Sequence, residues 1–180
     1  LENIKDIINI NDIILSKPFI SRNGIIPSIY SAVNIALYDA LSQYKEIPLY
    51  KLLNKNSNKK VRLYASNGSS TFSPKEIQKD ANQILDLGFN SYKMRIGFHR
   101  WTKDLKRVEE ARSVLGSKNL MIDAIMGTIN PPWDYKMANK KIMQVMKFKP
   151  TWVEEPLVPS DYKGYKKLNK NYPIAGGEGL

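Results

Sequence analysis

The sequence predicts an α/β chain: a helical N-terminal portion followed by part of a (β/α)8 TIM-type barrel, about five βα units of it. From Val61 onward, short apolar segments recur about every 30 residues with amphipathic segments between them, the pattern of parallel strands joined by right-handed crossovers. The glycine pattern of a doubly wound dinucleotide fold is missing after the first of these segments, where Ser66-Asn67-Gly68-Ser69-Ser70 stands instead. Each strand from the second to the fifth carries an ionisable residue toward its C-terminal end, where barrels gather their catalytic groups. A full barrel takes about 250 residues. Five units within 180 residues therefore end after strand five.

Residues 1–57 are expected to form the helical portion and residues 58–180 the alternating portion, meeting near Asn54-Lys55-Asn56-Ser57-Asn58. After Pro27-Ser28, the residues Ile29, Ala32, Val33, Ala36, Leu37, Ala40 and Leu41 recur at helical spacing and form one apolar stripe. Ile47-Pro48-Leu49 breaks that helix, and Leu49, Leu52 and Leu53 predict a short further turn. This portion reads as a cover over something else. The predicted strands are 61–66, 91–97, 120–124, 151–155 and 173–178. Ser73-Pro74-Lys75-Glu76 opens the first intervening helix with a cap, a proline in the first turn and an early acid, and Leu87-Gly88-Phe89 closes it. The next helices are expected over 101–115, stopped by Gly116, then 133–148 and 160–171.

The absence of cysteine excludes disulfides, thiolate metal sites and cysteine nucleophiles, leaving oxygen and nitrogen chemistry. A net charge of +11 raises the question of a nucleic-acid partner. The basic residues are spread out, however, and the densest stretches, 55–60 and 163–170, are short and far apart, so no nucleic acid is expected. No uninterrupted apolar run of roughly 18 residues and no signal-peptide start is evident, so no membrane partner is expected and the chain is placed in the cytoplasm. It begins with Leu1 and stops at Gly177-Glu178-Gly179-Leu180, as an excerpt would.

Side chains alternate across a strand, so Lys93 and Arg95 share one face while Met94 takes the other. By the same rule Asp123 lies opposite Ile122, Glu154 opposite Val153, and Glu178 on the face of Ile174 and Gly176. Singly, each carboxylate reads as a strand-end cap or ion-pair partner. As an in-phase set on consecutive strands they require a neutralising cation, and all-oxygen ligands select a hard ion, Mg2+. Lys93 and Arg95 then supply positive charge beside it, for a substrate carboxylate whose charge grows as its α-proton leaves. Lys93 as a solvent-reaching rim residue is the plainer alternative. Packing is the plainer reading of Trp101, Trp133 and Trp152.

Ser31-Ala32-Val33-Asn34-Ile35-Ala36-Leu37-Tyr38-Asp39 and Ile47-Pro48-Leu49-Tyr50-Lys51-Leu52-Leu53, within Gly24 to Leu53, resemble the end of the capping domain of the mandelate racemase/muconate lactonizing enzyme family of the enolase superfamily. Tyr92-Lys93-Met94-Arg95, Ile122-Asp123-Ala124, Trp152-Val153-Glu154-Glu155-Pro156-Leu157 and Ala175-Gly176-Gly177-Glu178 continue the resemblance through the barrel. It covers nearly the whole chain, and the order and spacing of the motifs are more specific than any one of them. The resemblance implies an α+β capping domain ahead of the barrel. It implies Asp123, Glu154 and Glu178 as Mg2+ ligands, with Glu154 rather than Glu155 in the ligand position, and Lys93 and Arg95 as catalytic and substrate-binding cations; Glu155 itself reads as a supporting residue behind the ligands or a helix-facing partner. The pairing of metal and cations is the arrangement known for enolase-type sites, not an independent derivation.

Two departures matter. The racemase-like pattern is Lys-x-Lys on the second strand, the second lysine being a base; Arg95 occupies that position and holds its proton above about pH 12. Arginine can still orient a carboxylate through a two-pronged hydrogen bond. Asp123 is also followed by a long segment, Ala124 to Pro132, expected to shape the pocket or to contact the residues behind it. The one histidine, His99, follows the second strand and is expected in solvent rather than in catalysis.

The resemblance thus implies Mg2+-dependent removal of a proton α to a carboxylate, leading to dehydration of an acid sugar (an aldonate or aldarate) by a hydro-lyase that forms homo-oligomers. Racemisation or epimerisation is the alternative within the family, with Lys93 retaining a possible role as base. A non-catalytic truncated chain is the alternative outside it. These 180 residues alone are expected to be insoluble or molten and inactive, because strands one and five are left as edges.

Overall fold

The computed structural model describes residues 3–16 and 25–178. Gly24, where the resemblance begins, and Gly179 and Leu180 lie outside the described residues. The chain divides into two compact units at Val61/Arg62.

The first unit is helical. Helix α1 (Ile4–Leu15) starts at Asn3, whose side chain accepts from Lys5 N at 2.9 Å while Asp6 accepts from Asn3 N at 3.0 Å. Two of the orphan amides of the first turn are satisfied in this way. Helix α2 (Ile25–Tyr44) packs against α1, and Asn34 donates to Asn11 Oδ1 at 2.8 Å between them. It begins two residues before Pro27, which falls in the first turn where its missing N–H costs nothing. Asp39 is its one charged residue, and by length and composition alone α2 is apolar enough to cross a membrane. The expectation of no such segment is corrected on that point; isolated Ser, Asn and Tyr residues interrupt the run without making it polar. Ser42 Oγ donates to Ile47 O and Ile47 N to Ser42 O at 3.1 Å, closing the turn into the short α3 (Leu49–Leu53).

The second unit alternates as the periodicity requires: β1 (Ala65–Ser66), α4 (Pro74–Asp86), β2 (Ser91–Arg95), α5 (Trp101–Leu115), β3 (Asn119–Asp123), α6 (Tyr135–Val145) running into a 3-10 turn (Met146–Phe148), β4 (Trp152–Glu154), α7 (Tyr162–Leu168) and β5 (Ile174–Ala175). The strands pair in parallel in the order β1-β2-β3-β4-β5. A doubly wound sheet reverses its strand order at a switch point; strict sequence order is that of a partial barrel. Strand β1 is shorter than the expected 61–66, because only Ala65 and Ser66 find partners, Tyr92 and Lys93, while Val61 and Leu63 are exposed.

Helix α4 is opened by the expected reciprocal cap between Ser73 and Glu76, and α5 is stopped at Gly116 with φ 56°. Helix α6 begins at Tyr135 because Asp134 caps it, accepting from Met137 N at 2.7 Å; Trp133 is buried instead. The alternate strand residues Tyr92, Met94, Leu120, Ile122 and Val153 are fully buried with Ile77, Ala81, Val108, Ala111, Ala138 and Ile142 of the helices. Each large apolar side chain so buried contributes about 1.5–3 kcal/mol. That layer occupies one face of the sheet and turns the intervening residues to the other.

Candidate functional site

Strand register lines up the charged residues. Arg95 on β2 pairs with Asp123 on β3, and Asp123 pairs with Glu154 on β4, so the three occupy one row at the C-terminal ends of adjacent strands. Lys93 sits one step lower, beside Met121 and, across β3, Trp152. Its side chain climbs out of that row: Nζ lies 2.6 Å from Glu154 Oε1 and 3.8 Å from Asp123 Oδ2. Burial alone would pull the Lys93 pKa down, but the Glu154 hydrogen bond and charge, with Asp123, outweigh it and raise it above the ordinary lysine value. Lys93 is thereby held as an ammonium. The Tyr64 ring lies 5.6 Å from the same Nζ.

Asp123 is 2% exposed. Burial, then repulsion from Glu154, pushes its pKa up to about 6; Lys93 and the Ile125 amide, which donates to Oδ1 at 3.0 Å, oppose the rise, and Glu178 adds a smaller push upward. The carboxylates thus hold more negative charge than Lys93 offsets. Glu154 Oε2 accepts from the Trp152 indole at 2.9 Å. Trp152 therefore serves the site as well as packing, at the position two residues before Glu154 that strand alternation places on the same face. Arg95 is half exposed, with Nε 4.0 Å from Asp123 Oδ2, leaving most of its guanidinium free.

Glu155 points away from this row. It is buried, and Oε1 accepts from Gly177 N at 2.7 Å, which ties the end of β4 to the turn that carries Glu178. Glu178 itself is exposed, and among the described residues no three acidic or histidine side chains converge closely enough to cage a metal ion. The structure brings together Lys93, Arg95, Asp123 and Glu154, and leaves Glu178 beside them. Ile125 and Glu155, each just past one of the site's strands, adopt left-handed φ values of 45° and 46°, a costly backbone above all for the β-branched Ile125. The segment after Asp123 is held at its start to β3 and to the end of β4: Ile125 N donates to Asp123 Oδ1, and Met126 N donates to Glu155 O at 2.9 Å.

His99 corrects an expectation. It is half buried, and its Nε2 is closed off from solvent with no hydrogen-bond partner among the described residues.

Sequence reasoning missed the supports beneath the cations. Arg107 on α5 is fully buried and donates to Arg95 O at 2.9 Å, Asp104 Oδ1 at 2.7 Å and Ser69 O at 2.6 Å. Asp104 Oδ2 in turn accepts from Gly97 N at 2.8 Å. Asp80 on α4 accepts from Gly68 N, Asn67 Nδ2 and the Tyr92 hydroxyl. These bonds fix the ends of β1 and β2 to each other, and with them the backbone of Arg95. The signal was present: three ionisable residues on otherwise apolar helix faces are buried only if paired. Gly68, at φ 54°, is required because any side chain there would collide with Met94 Cβ.

Comparison with known proteins places the chain in a family. The enolase C-terminal domain-like family matches residues 76–180. The chain is 32% identical over 165 residues to 3,6-anhydro-alpha-L-galactonate cycloisomerase of Streptomyces coelicolor, covering 90% of this chain and 44% of that protein. It is 29% identical to L-talarate/galactarate dehydratase of Salmonella typhimurium, covering 89% and 40%. A crystal structure of a racemase from Streptomyces coelicolor A3(2) with bound magnesium superposes with a TM-score of 0.80 at 32% identity, covering 90% and 48%. The chain thus spans under half the length of each. With the family's sequence pattern and fold both present, the chain belongs to the enolase C-terminal domain-like family, among the mandelate racemase/muconate lactonizing enzymes of the enolase superfamily.

Proposed function

We propose that this chain supplies the metal-binding and carboxylate-binding groups of an enzyme that uses Mg2+ to remove a proton α to a carboxylate and dehydrates an acid sugar of the aldonate or aldarate class. The observation that carries the reading is the row Arg95–Asp123–Glu154 with Lys93 reaching into it. Support for the acid-sugar class comes from relatives named as a cycloisomerase and a dehydratase of such acids.

The residues suit a hard divalent cation. Their donors are oxygen only, and Asp123 is raised to about pKa 6 by burial and by Glu154, a strain that a cation relieves. Asp123 and Glu154 would hold the ion, with Glu178 as the third carboxylate. Bound there, it would supply Lewis-acid stabilisation of the charge that builds on the substrate carboxylate. Arg95, with its guanidinium half exposed, orients that carboxylate through a two-pronged hydrogen bond. Lys93 adds positive charge from inside the sheet, and the Trp152 indole holds Glu154 in place. Neither cation accepts the proton in this arrangement, since Arg95 keeps its own and Lys93 is paired. That favours elimination with one base from elsewhere in the protein over racemisation with two.

Magnesium titration by calorimetry tests the metal assignment: Asp123→Asn and Glu154→Gln should each weaken binding at least about tenfold, and Glu178→Gln likewise. Binding that is unchanged in Asp123→Asn would overturn it. The reaction is tested by incubating the product of the complete gene with Mg2+ and a panel of aldonates and aldarates, and following formation of the 2-keto-3-deoxy acid. Exchange of the α-proton without loss of water would instead support the epimerase reading.

A further inference from the structure

At the other end of the sheet, the N-terminal ends of β3 and β4 open onto a cavity of about 530 Å3 that the site above does not use. Arg112, Ser117, Lys118, Lys147, Lys149 and Thr151 are among its lining residues, and no acidic residue lines it. Along the sequence these cations sit in separate segments, at the end of α5, in the α5–β3 turn and around the 3-10 turn before β4. Folding gathers them.

The gathering is built by Arg112. Its Nε donates to Phe148 O at 2.8 Å, its Nη1 to Gly116 O at 2.9 Å and Lys118 O at 2.7 Å, and its Nη2 to Lys149 O at 3.1 Å. A guanidinium has five N–H donors in a fixed fork, so four bonds to two different turns hold those turns in one geometry. Carbonyl partners do not cancel the guanidinium charge. Lys118, Lys147 and Lys149 are exposed and make no ion pair among the described residues. Four positive charges around one cavity repel one another, and an anion with several oxygens relieves that repulsion while meeting hydroxyls at Ser117 and Thr151.

We propose that this cavity is a binding site for a small phosphate-bearing anion, a di- or triphosphate group, separate from the carboxylate row at the opposite end of the strands. The lysines supply the charge, and the rigid turns cross-linked by Arg112 supply the preorganisation that scattered surface lysines lack. A small ligand is favoured over a nucleic-acid strand because the cations converge on one concave site rather than tracking along a face.

The test is calorimetric titration of the product of the complete gene with inorganic tripolyphosphate in magnesium-free buffer. Saturable binding of one anion per chain is expected. The triple variant Lys118→Gln, Lys147→Gln, Lys149→Gln, which leaves Arg112 and its turns intact, should weaken binding by at least about tenfold. A control with the same loss of charge elsewhere, Lys75→Gln, Lys79→Gln, Lys163→Gln, should change it by less than about twofold. Equal weakening in both triples would reduce the effect to net charge and overturn the proposal. So would the absence of saturable binding in the unmodified full protein, or single-stranded RNA binding more tightly than tripolyphosphate with several protein molecules per strand.

Discussion

Lys93 on β2 hydrogen-bonds Glu154 on β4 at 2.6 Å, reaching across β3, which lies between them. A lysine stem is long enough to rise past the Met121 row, and Asp123 lies beneath its path at 3.8 Å. One ammonium therefore serves two carboxylates on two strands; both raise the Lys93 pKa, while Glu154 raises and Lys93 lowers that of Asp123.

Glu154→Gln is expected to lower the Lys93 pKa. Burial, which acts downward, would remain, while the Glu154 charge would go and the hydrogen bond, now to a neutral amide oxygen, would weaken. The Lys93 ammonium signal in nitrogen-detected NMR, followed against pH, should titrate at lower pH in the variant. An unchanged midpoint would mean that Asp123 alone suffices to hold the proton.

Asp123→Asn should stabilise the metal-free protein near pH 7 by about 1–3 kcal/mol, since one pKa unit corresponds to about 1.4 kcal/mol. The folded pKa of about 6 lies above the ordinary aspartate value. The stability associated with Asp123 is thus fully present at pH below about 4 and is lost as pH rises through about 6. Urea unfolding in chelator should show the gain at pH 7 and its disappearance at pH 4. Added magnesium should reverse the order at pH 7 if Asp123 holds the ion.

Arg107→Met is expected to cost about 3–5 kcal/mol, because it leaves Asp104 as an uncompensated buried charge and frees Ser69 O and Arg95 O. The double variant Arg107→Met, Asp104→Asn should recover part of that loss in the same chemical-denaturation measurement. Full additivity of the two changes would show that the pair is not coupled.

Burial and the nearby Glu155 charge push the Tyr165 hydroxyl up to about 12. The unfolded chain loses this proton near pH 10. Stability is therefore complete below about pH 10 and falls as pH rises toward 12. In Tyr165→Phe the fall in melting temperature across that interval should be shallower, at the cost of the bond from the hydroxyl to Leu157 O at 2.8 Å.

The alternation of strands and helices in the second unit was legible because one-sided burial leaves a period-two trace in β2, β3 and β4 and a helical trace in the segments between. The same alternation placed Lys93 with Arg95, and put Asp123 and Glu154 on the face opposite Ile122 and Val153. The ends were less legible. Strand β1 shrank to Ala65–Ser66 because an edge strand pairs on one side only, and the start of α6 shifted because Asp134, not Trp133, caps it. His99 was misjudged because the burial of a loop residue depends on what folds over it.

By itself, then, the sequence determined the order of elements, the family resemblance and which side chains share a face, since these follow from local periodicity and chemistry. Tertiary structure decided what no spacing encodes. It made Lys93 the partner of Glu154 at 61 residues' separation and buried Asp123 until its acidity fell. It also locked Arg107 beneath Arg95 and drew Arg112, Lys118, Lys147 and Lys149 around one cavity. The physical reason is that charge–charge energies and desolvation depend on distance and burial in space, which are fixed only once parallel strands are set side by side.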